Sequence, residues 1–414
     1  MRILLLMQWF DPEPQIKGLA FAKKLRDLGN EVEVLTGFPN YPGGILYQGY
    51  SVKLFQIEMI DGIRIMRVPL YPSHDTSPLR RILNYVSFGF SSFLAGLLFV
   101  KRPDVIYACG PPVTVGVGAA LISLLKRIPL VYDVQDLWPD SLLSTGMFNS
   151  TLGSKTIDYV CKWVYGRAAH ITVQSPGVRD CLLLRGVPEE KVSVIYNWCD
   201  ETNIKSSLST KNQLIQSKDD HLGSFNVLFA GNLGKAQDLD TIVEAANLLK
   251  NENSPVRIFL LGGGIEVPRL KKNIDIENIT NISILPPVPM SEVGKFLASS
   301  DALLVHLKDC PLFRITIPAK VQAYMAAGKP ILMAVAGDAS KLITKSEAGI
   351  CSLPSNARSI ADAINTLATS HSSLLKKMGE NGEAYYWANM SMDVGVQRFL
   401  EIFKIVLKVK NSHV

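Results

Sequence analysis

The chain has 414 residues, and single hydrophobic cores stop growing near roughly 250–300 residues, so two domains are expected. Hydrophobic residues make up 47% of the chain and charged residues 19%, which excludes an intrinsically disordered protein. The formal net charge of +6 is too small to indicate a nucleic-acid-binding protein. The six cysteines are scattered without a CxxC pair, so we expect free thiols in a reducing compartment.

The start of the chain lacks the pattern of a secretory signal peptide. The apolar run of residues 3–7 is too short for a signal core and predicts a first buried strand. The longest apolar stretch, residues 82–100, is interrupted by polar residues and glycines, so it is marginal for a membrane-spanning helix, which needs about 20 mostly apolar residues.

Strands and helices alternate through the first half of the chain. This alternation is typical of βαβ units and predicts a doubly wound parallel sheet. The predicted strands are residues 3–7, 31–36, 63–68, 105–107, 130–133, 170–173 and 192–196, and the predicted helices are residues 18–28, 79–99 and 178–184.

Residues 200–223 are polar and predict a linker, after which the alternation begins again and predicts a second doubly wound sheet. We expect the two sheets to face each other across a cleft, and residues 384–410 predict one long amphipathic helix. The further predicted strands are residues 226–230, 256–261, 283–285, 302–306, 331–334 and 350–351, and the helices are residues 239–250, 290–298, 320–327 and 359–369.

Ligands of open α/β sheets bind beyond the carboxyl ends of the strands, so residues that follow predicted strands are candidates for a site. The loop after the first strand contains Glu13 and ends at Gly18, where a helix start suits a phosphate or a sugar hydroxyl; an ordinary surface loop is the alternative. After the fifth predicted strand, Asp133 and Asp136 are candidates for a general base or for binding sugar hydroxyls. Asp140 is expected to cap a helix.

The second half offers two further candidate loops. A glycine-rich turn with a lysine precedes a helix and can bind phosphate; its candidate residues are Gly231, Asn232, Lys235 and Gln237. Residues 262–264 form another glycine turn, which close backbone packing explains.

The loop before the predicted helix at residues 320–327 places a hydroxyl, an ammonium and an amide near a helix start. The candidates are Thr316, Lys320 and Gln322, which can bind a diphosphate; a solvated helix start is the alternative. His306 receives no role, because an isolated histidine is more often structural. No residues have metal-ligand spacing, so we expect neither a metal nor another cofactor.

Four segments resemble the family 4 glycosyltransferases, whose GT-B fold has two Rossmann-like domains, and the likeness covers nearly the whole chain. They are the loop before Gly18, residues 196–200 (YNWCD), residues 231–237 and residues 324–330 (YMAAGKP). The likeness is strongest to bacterial O-antigen N-acetyl-L-fucosaminyl transferases. It implies an acceptor-binding domain of residues 1–200, a domain of residues 201–384 that binds a UDP-sugar donor, and a final helix, residues 385–414, that returns to the first domain.

The chain departs from the family pattern in three places. Ile315 and Ala323 replace two glutamates, so ribose recognition falls to another residue. Asn232 and Gln237 replace an arginine and a lysine of the phosphate turn. Gln135 replaces a histidine that contacts the sugar 6-hydroxyl in related enzymes, and a 6-deoxy sugar has no such hydroxyl.

The predicted helix at residues 79–99 is apolar and has basic residues near both ends, which are Arg80, Arg81, Lys101 and Arg102. Such a helix can lie on an anionic membrane, and a core helix of the first sheet is an equal alternative. The acceptor implied by the resemblance is a saccharide on undecaprenyl diphosphate, which Arg80 and Arg81 would help to bind. The expected location is cytoplasmic, on the inner face of the plasma membrane.

The predicted function is transfer of a 6-deoxy amino sugar from UDP to a lipid-linked saccharide in O-antigen biosynthesis. The stereochemical outcome is open, because family 4 enzymes are retaining whereas an inverting enzyme needs a base such as Asp136 or Asp133. A UDP-sugar 2-epimerase of the same fold and a non-catalytic subunit of a glycosylation complex stay open as alternatives. A Rossmann oxidoreductase is disfavoured, because no strand–GxGxxG–helix unit with a trailing acid occurs.

Overall fold

The computed structural model describes residues 1–73, 77–144, 151–208 and 224–411. The chain divides into two compact units, one of Met1–Tyr196 with Gly395–Val414 and one of Asn197–Val394.

The first unit contains an eight-stranded sheet in the order β3-β4-β2-β1-β5-β6-β7-β8. All neighbouring strands are parallel except β3 and β4, which form an antiparallel edge. The inner strands are almost continuous buried apolar runs, because helices cover both faces of a parallel sheet. The strands are β1 (Arg2–Met7), β2 (Glu31–Gly37), β3 (Gln56–Ile60), β4 (Ile63–Val68), β5 (Val105–Gly110), β6 (Leu130–Val134), β7 (His170–Val173) and β8 (Val192–Val194).

In the described part of the chain, six helices of the first unit come before Asn197, where the second unit begins. They are α1 (Leu19–Asp27), α2 (Pro78–Leu98), α3 (Val113–Lys126), α4 (Asp140–Ser144), α5 (Thr151–Arg167) and α6 (Pro176–Leu184). Asp140 lies in the first turn of α4. The polar segment predicted as a linker begins with a helix, α7 (Glu201–Leu208), and its residues 209–223 lie outside the described part of the chain.

The second unit contains a six-stranded parallel sheet in the order β11-β10-β9-β12-β13-β14. This is the 3-2-1-4-5-6 order of a doubly wound sheet, in which the direction of winding reverses between β9 and β12. The strands are β9 (Phe225–Ala230), β10 (Val256–Leu261), β11 (Ile282–Leu285), β12 (Ala302–His306), β13 (Ile331–Ala334) and β14 (Gly349–Cys351). The helices are α8 (Leu239–Asn251), α9 (Val267–Ile276), α10 (Met290–Ser299), α11 (Pro311–Arg314), α12 (Lys320–Ala326), α13 (Asp338–Ser346), α14 (Ala357–Thr369) and α15 (Ser372–Asn389).

The prediction of a single helix at residues 384–410 is wrong. α15 ends at Asn389, and a new helix, α16 (Met392–Asn411), begins three residues later. Ser391 separates them, because its hydroxyl accepts a hydrogen bond from the backbone N–H of Val394, as a helix N-cap does. The ring of Phe399 on α16 then packs against Phe21 of the first unit at 5.4 Å.

Helix α3 was not predicted, because Gly116 and Gly118 disfavour a helix in isolation. In the folded unit these glycines allow close packing. A Cβ at Gly118 would lie 3.1 Å from the backbone oxygen of Gly89 on α2, and a Cβ at Gly89 would lie 3.1 Å from Thr114 on α3. Tertiary packing therefore outweighs the local propensity of this segment.

Gly118→Ala is expected to destabilise the first unit by about 1–3 kcal/mol, because the added methyl group forces α2 and α3 apart. The matched control is Gly166→Ala on α5, where no atom lies within 4 Å of the added Cβ, and which should gain about 0.5–1 kcal/mol. Urea unfolding of both variants measures the difference, and equal stability of the two would contradict the packing explanation.

Candidate active site

The first candidate site lies at the carboxyl edge of the second sheet, where the winding reverses between β9 and β12. Crevices at such points bind ligands in doubly wound sheets. β9 ends at Ala230 and leads into the glycine-rich turn of residues 231–237. The backbone N–H of Lys308, just after β12, donates to the backbone oxygen of Ala236 at 2.9 Å. The predicted phosphate turn is therefore fixed at the reversal point.

Helix α12 is anchored at the same point by Tyr324. The buried Tyr324 hydroxyl accepts a hydrogen bond from the Ala230 N–H at 2.8 Å and lies 3.3 Å from the Ala230 oxygen. Lys320 lies one helical turn before Tyr324, so both side chains project from the same face of α12. Tyr324 thereby places Lys320 beside the phosphate turn.

The ammonium of Lys320 is buried and has no hydrogen-bond acceptor among the described residues. Its Nζ lies 3.3 Å from the ring centroid of Phe229, and a Cβ at Gly231 would lie 3.3 Å from it. Burial lowers the pKa of Lys320 to about 7. A buried charge without a partner is costly, so this position suits an anion that enters from solvent beside Gly231.

Three glycines shape the backbone around this ammonium. Gly231 has a φ of 141° and, without a side chain, leaves the space in front of Lys320 open. A Cβ at Gly262 would lie 1.9 Å from the Gly231 oxygen, and a Cβ at Gly264 would lie 2.2 Å from the Leu233 oxygen. The glycines at residues 262 and 264 therefore serve close packing of two turns, as the sequence analysis predicted.

Gln237 and Gln322, which were predicted to bind the sugar nucleotide, form hydrogen bonds with the protein backbone instead. The Gln237 side-chain oxygen accepts from the Gly234 N–H at 3.1 Å and closes the phosphate turn. Gln322 is buried, and its amide nitrogen lies 2.8 Å from the oxygen of Ala319 in the orientation that satisfies it. We therefore change the role predicted for both residues from ligand contact to loop positioning.

The remaining predicted donor residues lie around Lys320. Asn232 and Lys235 are exposed on the phosphate turn. Thr316 is half-buried, and its hydroxyl donates to the Phe313 oxygen at 3.2 Å, which leaves its oxygen able to accept. His306 is buried, and its Nε2 accepts from the Ser355 N–H at 3.1 Å, while burial lowers the pKa of its imidazole to about 4.

At the carboxyl edge of the first sheet, Asp133 is completely buried in a hydrogen-bond network. Lys17, Tyr107 and Gln135 contact one carboxylate oxygen at 2.6, 2.7 and 2.8 Å. Thr172 donates to the other oxygen at 2.7 Å. A general base needs access to the proton that it removes, so Asp133 does not fit the predicted catalytic role and instead fixes the edge of the sheet.

The predicted acceptor residues Glu13 and Gly18 also serve the loop itself. Glu13 is buried and accepts from the N–H groups of Asn40 and Tyr41, both at 2.8 Å. Burial raises its pKa to about 7. A Cβ at Gly18 would lie 2.2 Å from the carboxylate of Asp11, which accepts from the first N–H of α1. The start of α1 is thus capped internally, and direct acceptor contact by Glu13 or Gly18 does not fit.

Asp136 has different surroundings, because it is exposed on the loop after β6. Burial raises the pKa of Tyr41 and that of Tyr85, and the charge of Asp136 adds to both shifts. The protein atoms around Asp136 displace part of its hydration and raise its own pKa. An exposed carboxylate with a raised pKa is suited to act as a general base.

The cluster around Asp136 contains three further groups that the sequence analysis did not connect with it. The ring of Trp138 lies 5.9 Å from that of Tyr85. Trp9 stacks on Tyr41 at 4.5 Å. Burial raises the pKa of Tyr85, and the charge of Arg81, in the first turn of α2, offsets part of that rise; Arg80 is exposed beside Arg81. The charges of Arg81 and Asp136 thus both act on the phenol of Tyr85, and we name residues Trp9, Tyr41, Arg81, Tyr85, Asp136 and Trp138 the acceptor cluster.

Within the described ranges, no group of three or more His, Cys, Asp or Glu residues could hold a metal ion.

Two doubly wound units with candidate sites at the carboxyl edges of their sheets are the architecture of a GT-B glycosyltransferase, and the comparisons agree that this protein is one. Residues 19–198 match the glycosyl transferase 4-like domain, and residues 211–385 match the glycosyl transferases group 1 family. The first part of the chain therefore carries a glycosyl transferase 4-like domain and the second part a glycosyl transferases group 1 domain.

Two proteins named as glycosyltransferases are similar to this chain in sequence. WcaI of Escherichia coli K12, named as a colanic acid biosynthesis glycosyl transferase, is 25% identical over 306 residues, which are 72% of this chain and 74% of WcaI. WbjE of Pseudomonas aeruginosa, named as a glycosyltransferase, is 22% identical over 270 residues, which are 64% of this chain and 66% of WbjE.

Solved structures show the same fold. Anabaena HepE in complex with UDP and glucose is 20% identical with a TM-score of 0.69, and the match covers 98% of this chain and 99% of HepE. The trehalose-6-phosphate protein of E. coli bound with UDP-2-fluoro glucose is 12% identical with a TM-score of 0.72, over 98% of this chain and 99% of that one.

Lys320→Met is expected to raise the thermal stability of the ligand-free protein at about pH 6. The pKa of Lys320 is about 7 in the folded state and about 10.4 in the unfolded state. The free-energy cost of burying its charged ammonium is therefore complete below pH 7 and fades as the pH rises towards 10. The gain should therefore be several degrees at low pH and small at about pH 10. Thermal unfolding measures it, with Lys272→Met, an exposed lysine on α9, as control. A pH-independent difference would contradict a buried charge at Lys320.

Proposed function

We propose that this glycosyltransferase moves a sugar from UDP to a saccharide carried on a lipid diphosphate. The observation that supports binding of a UDP-sugar donor is the buried Lys320 ammonium. It has no acceptor among the described residues and faces the glycine-rich turn. A diphosphate supplies both the opposite charge and the missing acceptors. The UDP complexes of HepE and of the E. coli trehalose-6-phosphate protein support UDP as the nucleotide.

The donor sugar in this proposal is a 6-deoxy amino sugar, N-acetyl-L-fucosamine. Gln135 stands where related enzymes have a histidine that contacts the 6-hydroxyl. Its amide donates to Asp133 at 2.8 Å, and its backbone oxygen accepts from Gln174 at 2.6 Å, so the residue is held at both ends. With its amide directed to Asp133, Gln135 replaces the imidazole that contacts the 6-hydroxyl in related enzymes, and this loss favours a donor with a methyl group there.

The acceptor in this proposal is a saccharide on undecaprenyl diphosphate. In the acceptor cluster, the half-buried stacked rings of Trp9 and Tyr41 offer a wall for a sugar ring, and the exposed Asp136 can remove the proton of the attacking hydroxyl. The guanidinium of Arg81 and that of Arg80 suit a diphosphate. The name of WcaI, which refers to a bacterial polysaccharide, supports this class of acceptor, and we propose O-antigen assembly as the process.

UDP release is expected only when a sugar nucleotide and a lipid-linked acceptor are both present, with UDP-N-acetyl-L-fucosamine turned over faster than UDP-N-acetylglucosamine. UDP should raise the unfolding temperature of the wild type and of Lys272→Met but not of Lys320→Met. Equal turnover of the two donors would contradict the role given to Gln135. No release with any donor would favour the non-catalytic subunit.

Asp136→Asn is expected to lower turnover by roughly 10²–10⁴-fold while UDP binding stays intact, because the amide cannot accept the proton of the acceptor hydroxyl. Initial rates and the UDP-dependent thermal shift measure the two effects separately. Asp180→Asn, an exposed carboxylate of α6, is the matched control and should retain full activity. Near-normal turnover of Asp136→Asn would contradict the role of this residue as a general base.

A further inference from the structure

Helix α2 exposes a continuous apolar stripe to solvent. The exposed side chains recur every three or four residues, so they lie on one face of the helix. A surface helix of a globular protein normally turns such a face towards the core. The stripe consists of Leu79, Leu83, Val86, Phe90, Leu94 and Leu98, each between 38% and 78% exposed.

The opposite face of α2 is packed into the first unit. Phe88 and Ser92 are completely buried, and Gly89 lies against Thr114 of α3. The buried Asn84 amide donates to the backbone oxygen of Tyr71 at 2.7 Å. α2 is also the one described helix that is long and apolar enough to cross a membrane, and 39% of its 18-residue apolar stretch is buried inside the protein. Because its inner face carries these contacts, α2 is suited to lie on a surface rather than to span a membrane.

A second segment extends the apolar stripe beyond the end of α2. The ring of Phe55 packs against that of Phe99, which directly follows α2, at 5.0 Å. The chain before Phe55 exposes Ile45 by 78% and Leu54 by 91%. We name residues 45–55 and 79–99 together the apolar face.

The charges within the segments that form the apolar face and their immediate flanks, residues 45–55 and 77–103, have one sign. Exposed basic residues are Lys53, Arg80, Lys101 and Arg102, and Arg81 is half-buried. No acidic residue occurs in residues 45–55 or 77–103. A bilayer with anionic lipids offers what this pattern requires, because its apolar interior is bordered by negative headgroups.

We propose that the apolar face docks the protein on an anionic phospholipid bilayer, with α2 lying in the plane of the headgroups. The first turn of α2 carries Arg81 of the acceptor cluster, so docking brings that cluster to the membrane surface where a lipid-linked acceptor resides. Only this consequence rests on the proposed function; the docking itself follows from the exposed stripe and its charges.

The test is flotation of the full-length protein with vesicles of phosphatidylcholine and phosphatidylglycerol, and with vesicles of phosphatidylcholine alone. The wild type should float with the anionic vesicles, and high salt should weaken its binding. Leu83→Ser combined with Phe90→Ser, and separately Leu54→Ser, should weaken binding by about tenfold or more, because each change removes apolar area from the contact. Leu184→Ser on α6, which removes an equally exposed side chain outside the apolar face, should bind like the wild type.

Three results would overturn docking on lipid. They are absence of wild-type binding at low salt, equal loss of binding in Leu184→Ser, and a wild-type dimer in sedimentation that Leu83→Ser with Phe90→Ser converts to monomer. The UDP-dependent thermal shift and turnover of a water-soluble acceptor analogue should be unchanged in these variants. Failure of the proposed function therefore appears in those two assays and failure of docking in flotation.

Discussion

The buried ion pair between Lys17 and Asp133 fixes the carboxyl edge of the first sheet. Asp133 also accepts from Tyr107 on β5 and Thr172 on β7, and the Lys17 ammonium lies 5.1 Å from the ring centroid of Phe399 on α16. Charges removed from water hold a structure in place only when their remaining polar atoms are paired, and both oxygens of this carboxylate have partners. The loop after β1, which carries Trp9 of the acceptor cluster, is thereby held against three strands and the returning helix.

The second sheet has the opposite arrangement at its carboxyl edge. There Tyr324 pairs with the backbone of Ala230, and the nearby Lys320 ammonium is left without an acceptor in the described part of the chain. A buried charge of this kind lowers stability, and such a cost is retained where binding requires it. The contrast separates the two lysines by role, because Lys17 completes a structural network whereas Lys320 binds an anion in the proposed function.

Much of the fold was predictable because a parallel sheet demands apolar strands and periodic helices, and most predicted strands agree with the structure within two residues. The edge strand β3 and helix α3 escaped prediction, because one is half exposed and the other depends on packing of Gly118 against α2. The sequence also placed candidate residues after the correct strands. It could not show that the carboxylates of Asp133 and Glu13 are fully used by the protein, since their partners lie on other strands and loops. The acceptor cluster was missed for the same reason.

This chain lacks two acidic and two basic residues of the family pattern, so these substitutions leave the net charge of the site unchanged. The resemblance implies two glutamates at positions 315 and 323 and two cations in the phosphate turn, whereas this chain has Ile315, Ala323, Asn232 and Gln237 there. Losing both carboxylates removes the repulsion that they would exert on a diphosphate. Fewer cations then suffice to hold the phosphates. The same change removes the usual carboxylate for the ribose, so the nucleoside has to be bound more by backbone and shape than by charge.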